Sequence, residues 1–335
     1  MYVMIAVTVL CTSVMLTYAG RKTIIISEGD EASEASDALT LQTSKWTLDI
    51  SRLTDEASEN ITLALPEGEA SAPEVSIRYD EPQLTVLLKN TRESYFLSNP
   101  PSGNFQYVEK VTGIYDGDNT SVVFTLTEPC FLDTEYVYGK LYLKLLPVKE
   151  NEKTVVAVDA GHGGLSYGTR AGDLSEKDIL LKVALKVAAL TEDRPYRVAL
   201  LRDSDITMNT EARIKALNTV KASYYAGLQL SSDVDDVMQF GLKAVYNPSY
   251  YHDGLENADF AECLLRATAA RASDRANSID EAGEEELILK TLNIPAAVLY
   301  LGYMSNTDEA ALLASDEYLD KLAEGIVDAL DEVVR

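Results

Sequence analysis

The sequence predicts a small all-β, sandwich-like domain followed by an α/β domain whose mostly parallel sheet is flanked by helices. The first prediction rests on short runs of β-branched, aromatic and leucine residues separated by turn-forming clusters. The second rests on apolar strands that alternate with amphipathic helices after Pro147. The length of 335 residues agrees with this division, since a domain typically has roughly 150 residues.

Composition argues against several classes of function before any motif is considered. The chain has 54 acidic and 29 basic side chains and a net charge of −25, and 46% of its residues are hydrophobic. Phosphate recognition needs a clustered basic surface, so this charge argues against a nucleic-acid-binding protein. With two histidines and three widely separated cysteines, the chain has neither a three-histidine metal site nor a Cys-rich zinc site or disulfide framework.

Residues 1–22 are predicted to be a transmembrane anchor or an export signal. The uncharged apolar run over 2–19 is just long enough to span a bilayer and also suits the core of a signal peptide. Arg21 and Lys22 follow the run and no basic residue precedes it, although positive flanks usually lie on the cytoplasmic side. An acidic linker is expected over 23–44. These features predict a protein outside the cytoplasm, either membrane-anchored or secreted.

Residues 45–148 are predicted to form the β-rich domain. Its clearest strands are expected over 60–65, 83–88, 121–127 and 140–146. Clusters rich in Pro, Gly, Asn and Asp separate them, as turns require. None of its residues suggests catalysis, and its tyrosines fit packing better than a sugar-binding surface.

Residues 152–335 are predicted to form the α/β domain. Strands are expected over 154–158, 196–201, 222–230, 242–246 and 296–301, and helices over 175–190, 210–220, 257–272 and 316–334. Ligands of such sheets bind beyond the carboxyl ends of the strands. The residues that follow Val158, Leu228 and Leu299 are therefore the candidates for a functional site.

Two residues near the end of the first strand have the chemistry of metal ligands. His162 lies between glycines, which allow the sharp turn that exposes an imidazole at the sheet edge. Asp159 is expected to orient that ring, because metal-binding histidines usually donate their other ring N–H to an acceptor. Glu176 begins the next helix, where a carboxylate is favourable even without a metal. Taken singly, each residue also has an ordinary structural explanation.

Several motifs in a fixed order give residues 154–334 a resemblance to a known family. The motifs lie at 159–164, 176–178, 201–205, 211–213 and 295–306, and a closing helix contains Glu317 and Tyr318. Together they resemble the catalytic domain of zinc-dependent N-acetylmuramoyl-L-alanine amidases, which are cell-wall hydrolases. In some members an exported β domain of the AMIN type precedes the catalytic domain, and the β region here is similar in position and class.

The resemblance implies a reaction and a set of site residues. Members hydrolyse the amide bond between N-acetylmuramic acid and L-alanine of the stem peptide, with zinc on two histidines and a glutamate and a second glutamate as general base. His162 and Glu176 correspond to two of the metal ligands, whereas Gln229 replaces the second histidine and Tyr300 replaces the base. A neutral amide binds Zn²⁺ more weakly than imidazole. Tyrosine, with an ordinary pKa near 10, is a poor base at neutral pH.

These departures leave three hypotheses. The favoured one is a degenerate amidase relative with weakened or absent zinc, which binds peptidoglycan or a cell-envelope protein. The alternative is an active zinc amidase in cell-wall turnover, in which His252 supplies the missing imidazole and one of Glu284, Glu285 and Glu286 replaces the base. The third is a structural surface protein with a vestigial cleft. A loop histidine and an acidic run are more often merely exposed, which favours the first hypothesis.

Overall fold

The computed structural model describes residues 44–55, 57–66, 73–249, 254–283 and 286–334. The predicted anchor and nearly all of the acidic linker lie outside the described residues, as do His252, Glu284 and Glu285. Within the described ranges, no helix combines the length and the apolar character needed to cross a bilayer. The described residues divide into two compact units, and the main division follows Pro147.

The N-terminal unit contains two sheets built on antiparallel strand pairs. Its elements are β1 (Ser44–Leu48), β2 (Ile61–Ala64), β3 (Glu74–Arg78), β4 (Gln83–Leu88), α1 (Glu93–Ser98), β5 (Ser102–Gly103), β6 (Val108–Tyr115), β7 (Thr120–Leu126), β8 (Cys130–Val137) and β9 (Lys140–Pro147). One sheet has the order β1-β6-β7-β4-β3 and the other β5-β2-β9-β8. Alternate residues of β7, Val122 and Phe124 among them, are buried, as expected for strands with one face on a core. The four predicted strands agree with β2, β4, β7 and β9 to within one residue at each end.

The C-terminal unit is a six-stranded sheet with helices. Its strands are β10 (Thr154–Ala160), β13 (Tyr196–Leu200), β14 (Tyr224–Ser231), β15 (Leu242–Tyr246), β16 (Ala276–Glu281) and β17 (Ala296–Tyr303), and a small hairpin adds β11 (Arg170–Ala171) and β12 (Leu174–Ser175). Its helices are α2 (Glu176–Leu190), α3 (Thr210–Val220), α4 (Asn257–Ala272), α5 (Thr307–Leu313) and α6 (Asp316–Val333). The strand order is β13-β10-β14-β17-β15-β16, and only the β15–β17 pair is antiparallel. The predicted fold class, a mostly parallel sheet flanked by helices, is confirmed.

The two faces of this sheet have different roles. Val158, Leu228 and Leu299 face a core to which α2, α4 and α6 contribute. Successive strand residues point to opposite faces. Gln229 and Tyr300 therefore lie on the other face of the sheet, the face that also carries Asp159.

Helices α4 and α6 approach closely at Gly325 of α6. A Cβ atom on Gly325 would lie 2.5 Å from the Cα atom of Thr268 on α4. Both residues are buried. A side chain at this position would therefore force two backbones apart within a close-packed core.

We expect Gly325→Val to lower the free energy of unfolding by about 1–3 kcal/mol, the usual cost of overpacking a core. Urea unfolding followed by circular dichroism measures it. The matched control is Glu317→Val on the same helix, which removes an exposed ion pair with Lys321 and should cost much less than Gly325→Val. Equal losses in the two variants would contradict the proposed backbone contact.

Candidate active site

His162 lies in a tight turn directly after β10. Its φ angle is +60°, in the left-handed region that few residues other than glycine adopt. The neighbouring Gly161 leaves space for the Gln229 side chain, since a Cβ atom on Gly161 would lie 2.5 Å from Gln229 Nε2. The turn thus brings His162 beside the end of β14.

Two buried arginines hold this turn. Arg202, which is 1% exposed, donates from Nε to the Ala160 carbonyl at 2.8 Å and from Nη2 to the Gly161 carbonyl at 2.9 Å. Burial lowers the pKa of Arg202 to about 10, so it remains a cation at neutral pH. Arg213 of α3 donates from Nη2 to the His162 carbonyl at 2.7 Å. Three successive carbonyl groups therefore accept hydrogen bonds from guanidinium groups.

The prediction that Asp159 orients the His162 ring is wrong. Asp159 Oδ1 accepts a hydrogen bond from Arg213, and its Oδ2 accepts one from the Tyr225 hydroxyl at 2.9 Å. The partner of His162 Nδ1 is Ser166 Oγ, at 2.9 Å. A buried carboxylate needs a cation and hydrogen-bond donors, and Arg213 and Tyr225 supply both. Arg213 links Asp159 to the His162 backbone, because it donates to the Asp159 carboxylate and to the His162 carbonyl.

Glu176 is the first residue of α2 and is 2% exposed. Its Oε1 accepts the Leu230 N–H at 2.7 Å, and its Oε2 accepts the Thr169 N–H at 2.8 Å and lies 3.4 Å from His162 Nε2. Burial alone would raise the pKa of Glu176, but these hydrogen bonds from His162 and the two amides outweigh it and hold the pKa below its ordinary value. Glu176 is therefore a carboxylate at neutral pH, next to the imidazole as predicted.

Gln229 and Tyr300 lie side by side, since they are register partners on the parallel strands β14 and β17. The Tyr300 hydroxyl donates to Glu286 Oε1 at 2.8 Å, so one residue of the predicted acidic run reaches the site. Lys243 of β15 is the register partner of Tyr300 on its other side, and its Nζ lies 4.6 Å from the centre of the Tyr300 ring. Sequence reasoning missed Lys243, although it is the one charged residue in the strand Leu242–Tyr246.

These donors do not fit a three-ligand zinc site. The 3.4 Å separation of His162 Nε2 and Glu176 Oε2 suits two ligands of one ion, which lie roughly 3.3 Å apart when each bond is near 2.0 Å in a tetrahedron. The resemblance gives the third ligand position to Gln229, whose neutral amide binds Zn²⁺ more weakly than imidazole does. Across the part of the chain that the structure describes, no three His, Cys, Asp or Glu side chains group together to hold a metal ion.

Glu309 of α5 is a buried carboxylate that ties two strands of the site together. It is 3% exposed, and its Oε1 accepts the Gly241 N–H at 2.9 Å while its Oε2 accepts the Tyr303 N–H at 2.7 Å. The start of the strand that carries Lys243 is thus linked to the end of the strand that carries Tyr300. Burial raises the pKa of Glu309 to about 7. Sequence reasoning missed it because a glutamate in a first helical turn is commonplace.

Comparison with known proteins identifies the family to which the chain belongs. Residues 156–332, just over half of the chain, match the family described as N-acetylmuramoyl-L-alanine amidase. The chain belongs to this family of peptidoglycan amidases, and the resemblance inferred from its motifs is confirmed. The matched residues lie in the C-terminal unit.

Individual relatives agree with this assignment. The chain is 29% identical over 185 residues to the endolysin of Bacillus phage SPP1. The aligned region covers 54% of this chain and 66% of the endolysin, which is just under two thirds. It is 26% identical over 186 residues to the germination-specific N-acetylmuramoyl-L-alanine amidase of Bacillus subtilis, covering 51% of this chain and 76% of that protein.

Solved structures of amidases have the same fold. The catalytic domain of CwlV, an N-acetylmuramoyl-L-alanine amidase from Bacillus (Paenibacillus) polymyxa var. colistinus, matches with a TM-score of 0.50 at 25% identity, over 54% of this chain and 99% of that chain. AmiC2 of Nostoc punctiforme matches with a TM-score of 0.50 at 26% identity, over 55% of this chain and 99% of that chain.

The raised pKa of Glu309 predicts a pH-dependent stability. Its folded pKa of about 7 lies above the ordinary 4.5, so the folded state binds the proton more tightly than the unfolded chain does. The resulting stabilisation is complete below about pH 4.5 and is lost as the pH rises through about 7. We expect the free energy of unfolding of the wild type to fall between about pH 5 and pH 8 by an amount that Glu309→Gln lacks.

Urea unfolding at several pH values measures this difference. The control is Glu317→Gln, an exposed glutamate of α6, which should keep the wild-type pH dependence. If Glu309→Gln loses stability with pH as steeply as the wild type, the Glu309 carboxyl is not the group responsible.

Proposed function

We propose that this chain is a non-hydrolysing member of the amidase family that binds peptidoglycan stem peptides in the cleft of its C-terminal unit. The observation that carries the proposal is the pair Gln229 and Tyr300, register partners at the positions where a zinc-binding histidine and a glutamate base are expected. The two residues replace a metal ligand and a proton acceptor on one face of the sheet. Neither an amide nor a phenol performs the function of the group that it replaces.

The contacts that hold the site residues in place support binding without hydrolysis. Arg202 and Arg213 fix the turn that carries His162, and Glu176 accepts two backbone N–H groups. None of these contacts requires a metal ion. The turn of His162 and the start of α2 therefore keep their form without an ion, and the partly buried His162, Gln229 and Tyr300 are the side chains that a peptide could reach.

We also propose the domain organisation and the location that the sequence predicts. Residues 1–22 would anchor or export the chain, 23–44 would form a linker, 45–148 an AMIN-like module and 152–335 the amidase-like domain. The cell-wall roles named for its relatives support a place outside the cytoplasm. A net charge of −25 favours a cell-envelope protein over the anionic wall polymers as a partner, because like charges repel.

A second candidate function is an active zinc amidase with replacement groups. One observation favours it: Glu286 places a carboxylate 2.8 Å from the Tyr300 hydroxyl, close to the position of the missing base. His252 would supply the third ligand. Zinc content and hydrolysis distinguish this candidate from the first.

Purified peptidoglycan is the test substrate, with released stem peptides measured by chromatography and bound zinc by mass spectrometry. We expect the wild type to release no peptide and to carry little zinc. Gln229→His combined with Tyr300→Glu should gain both zinc and hydrolysis, because a positioned general base typically contributes about 10²- to 10⁴-fold.

The single variants and one histidine variant serve as controls. Gln229→His alone should gain zinc without brisk hydrolysis, and Tyr300→Glu alone should gain neither. A wild type that hydrolyses as fast as the double variant would refute the first candidate. Loss of that activity in His252→Ala would then establish the second.

A further inference from the structure

Glu286 is a buried residue whose carboxylate has one oxygen without a hydrogen-bond partner. The residue is 9% exposed, and its Oε1 accepts the Tyr300 hydroxyl at 2.8 Å. Its Oε2 is buried and accepts no hydrogen bond from any described residue. Buried polar atoms nearly always have partners, so this oxygen indicates a donor that the described residues do not supply.

Lys243 is a cation on the other side of the same tyrosine. Its side chain is half-buried and its Nζ lies over the Tyr300 ring, but it makes no ion pair with another described residue. The neighbouring cations of the site differ, since Lys177 pairs with Asp205 and Arg213 pairs with Asp159. Lys243 is thus a candidate to receive an anionic group.

We propose that Lys243 and Glu286, with Tyr300 between them, bind a zwitterionic amino-acid group. The Lys243 ammonium receives the carboxylate of the ligand. The Glu286 Oε2 accepts a hydrogen bond from the ligand ammonium once the atoms that cover this buried oxygen move aside. A carboxylate alone would be repelled by Glu286 and an amine alone by Lys243, whereas a group that bears both charges satisfies both residues.

This inference rests on the proposed function, because a stem peptide supplies the zwitterion. The free end of a diaminopimelate residue carries an amine and a carboxylate on one carbon atom. Tyr300 then has a positioning role: its hydroxyl orients the Glu286 carboxylate, and its ring supports the Lys243 ammonium.

Two tripeptides test the site by calorimetry with the full chain. One is L-Ala-γ-D-Glu-meso-diaminopimelate, and the other has L-lysine in the third position, which keeps the amine and lacks the terminal carboxylate. We expect the wild type to bind the first about tenfold or more tightly. Lys243→Gln should abolish this preference, and Glu286→Gln should weaken binding of both peptides by about tenfold or more.

Lys182→Gln and Glu281→Gln are the matched controls, because both residues are exposed. They should bind both peptides as the wild type does. Thermal unfolding by circular dichroism verifies that each variant is folded. The inference is overturned if the wild type binds the two peptides equally or not at all, or if Lys243→Gln keeps the preference.

The outcome separates this inference from the proposed function, because neither tripeptide contains the bond that an amidase cleaves. A wild type that hydrolyses peptidoglycan and shows the Lys243-dependent preference refutes the non-hydrolysing proposal and leaves the zwitterion site standing. A wild type that hydrolyses no peptidoglycan and binds both tripeptides without that preference overturns the zwitterion site and leaves the proposed function standing.

Discussion

The site depends on the buried guanidinium group of Arg202. It donates to the carbonyls of Ala160 and Gly161 in the turn, and also to the Lys177 carbonyl at the start of α2. Carbonyl groups that converge in a buried turn cannot pair with one another, and each left without a donor would cost about 1–3 kcal/mol. One arginine therefore fixes the turn of His162 relative to the helix of Glu176, and their 3.4 Å approach follows from this backbone arrangement.

Under the proposed function, the residues Gln229 and Tyr300 have a common chemical explanation. A general base in a metal hydrolase takes a proton from water that the metal has activated. A site without a third strong ligand would not hold that water, and a base on the neighbouring strand would then have no proton to accept. Conversely, a phenol beside Glu286 and Lys243 can position charged groups that a glutamate at 300 would repel or neutralise.

Sequence reasoning succeeded where periodicity or ordered motifs carried the signal. It predicted the bounds of Leu242–Tyr246 and Asn257–Ala272 and the meeting of His162 with Glu176. It missed β16, whose sequence ANSIDE is mostly polar and exposed and so lacks an apolar run. It assigned the wrong partner to Asp159 because Arg213 and Tyr225 lie 54 and 66 residues further along the chain. Lys243, Glu286 and Glu309 acquire their roles only when separate strands and turns come together, and local spacing does not encode that.

Glu176 shows that one residue can be retained for two independent reasons. Its carboxylate joins the amide of Thr169 in a loop to the amide of Leu230 in a strand, so removing it would loosen the rim of the sheet whether or not an ion is bound. The presence of such a residue in a motif therefore indicates a stabilised local fold as well as a possible part in a reaction. If the proposed function holds, a search that uses only the histidine and helix-start motifs collects binding proteins together with hydrolases, and the residues at 229 and 300 distinguish the two groups.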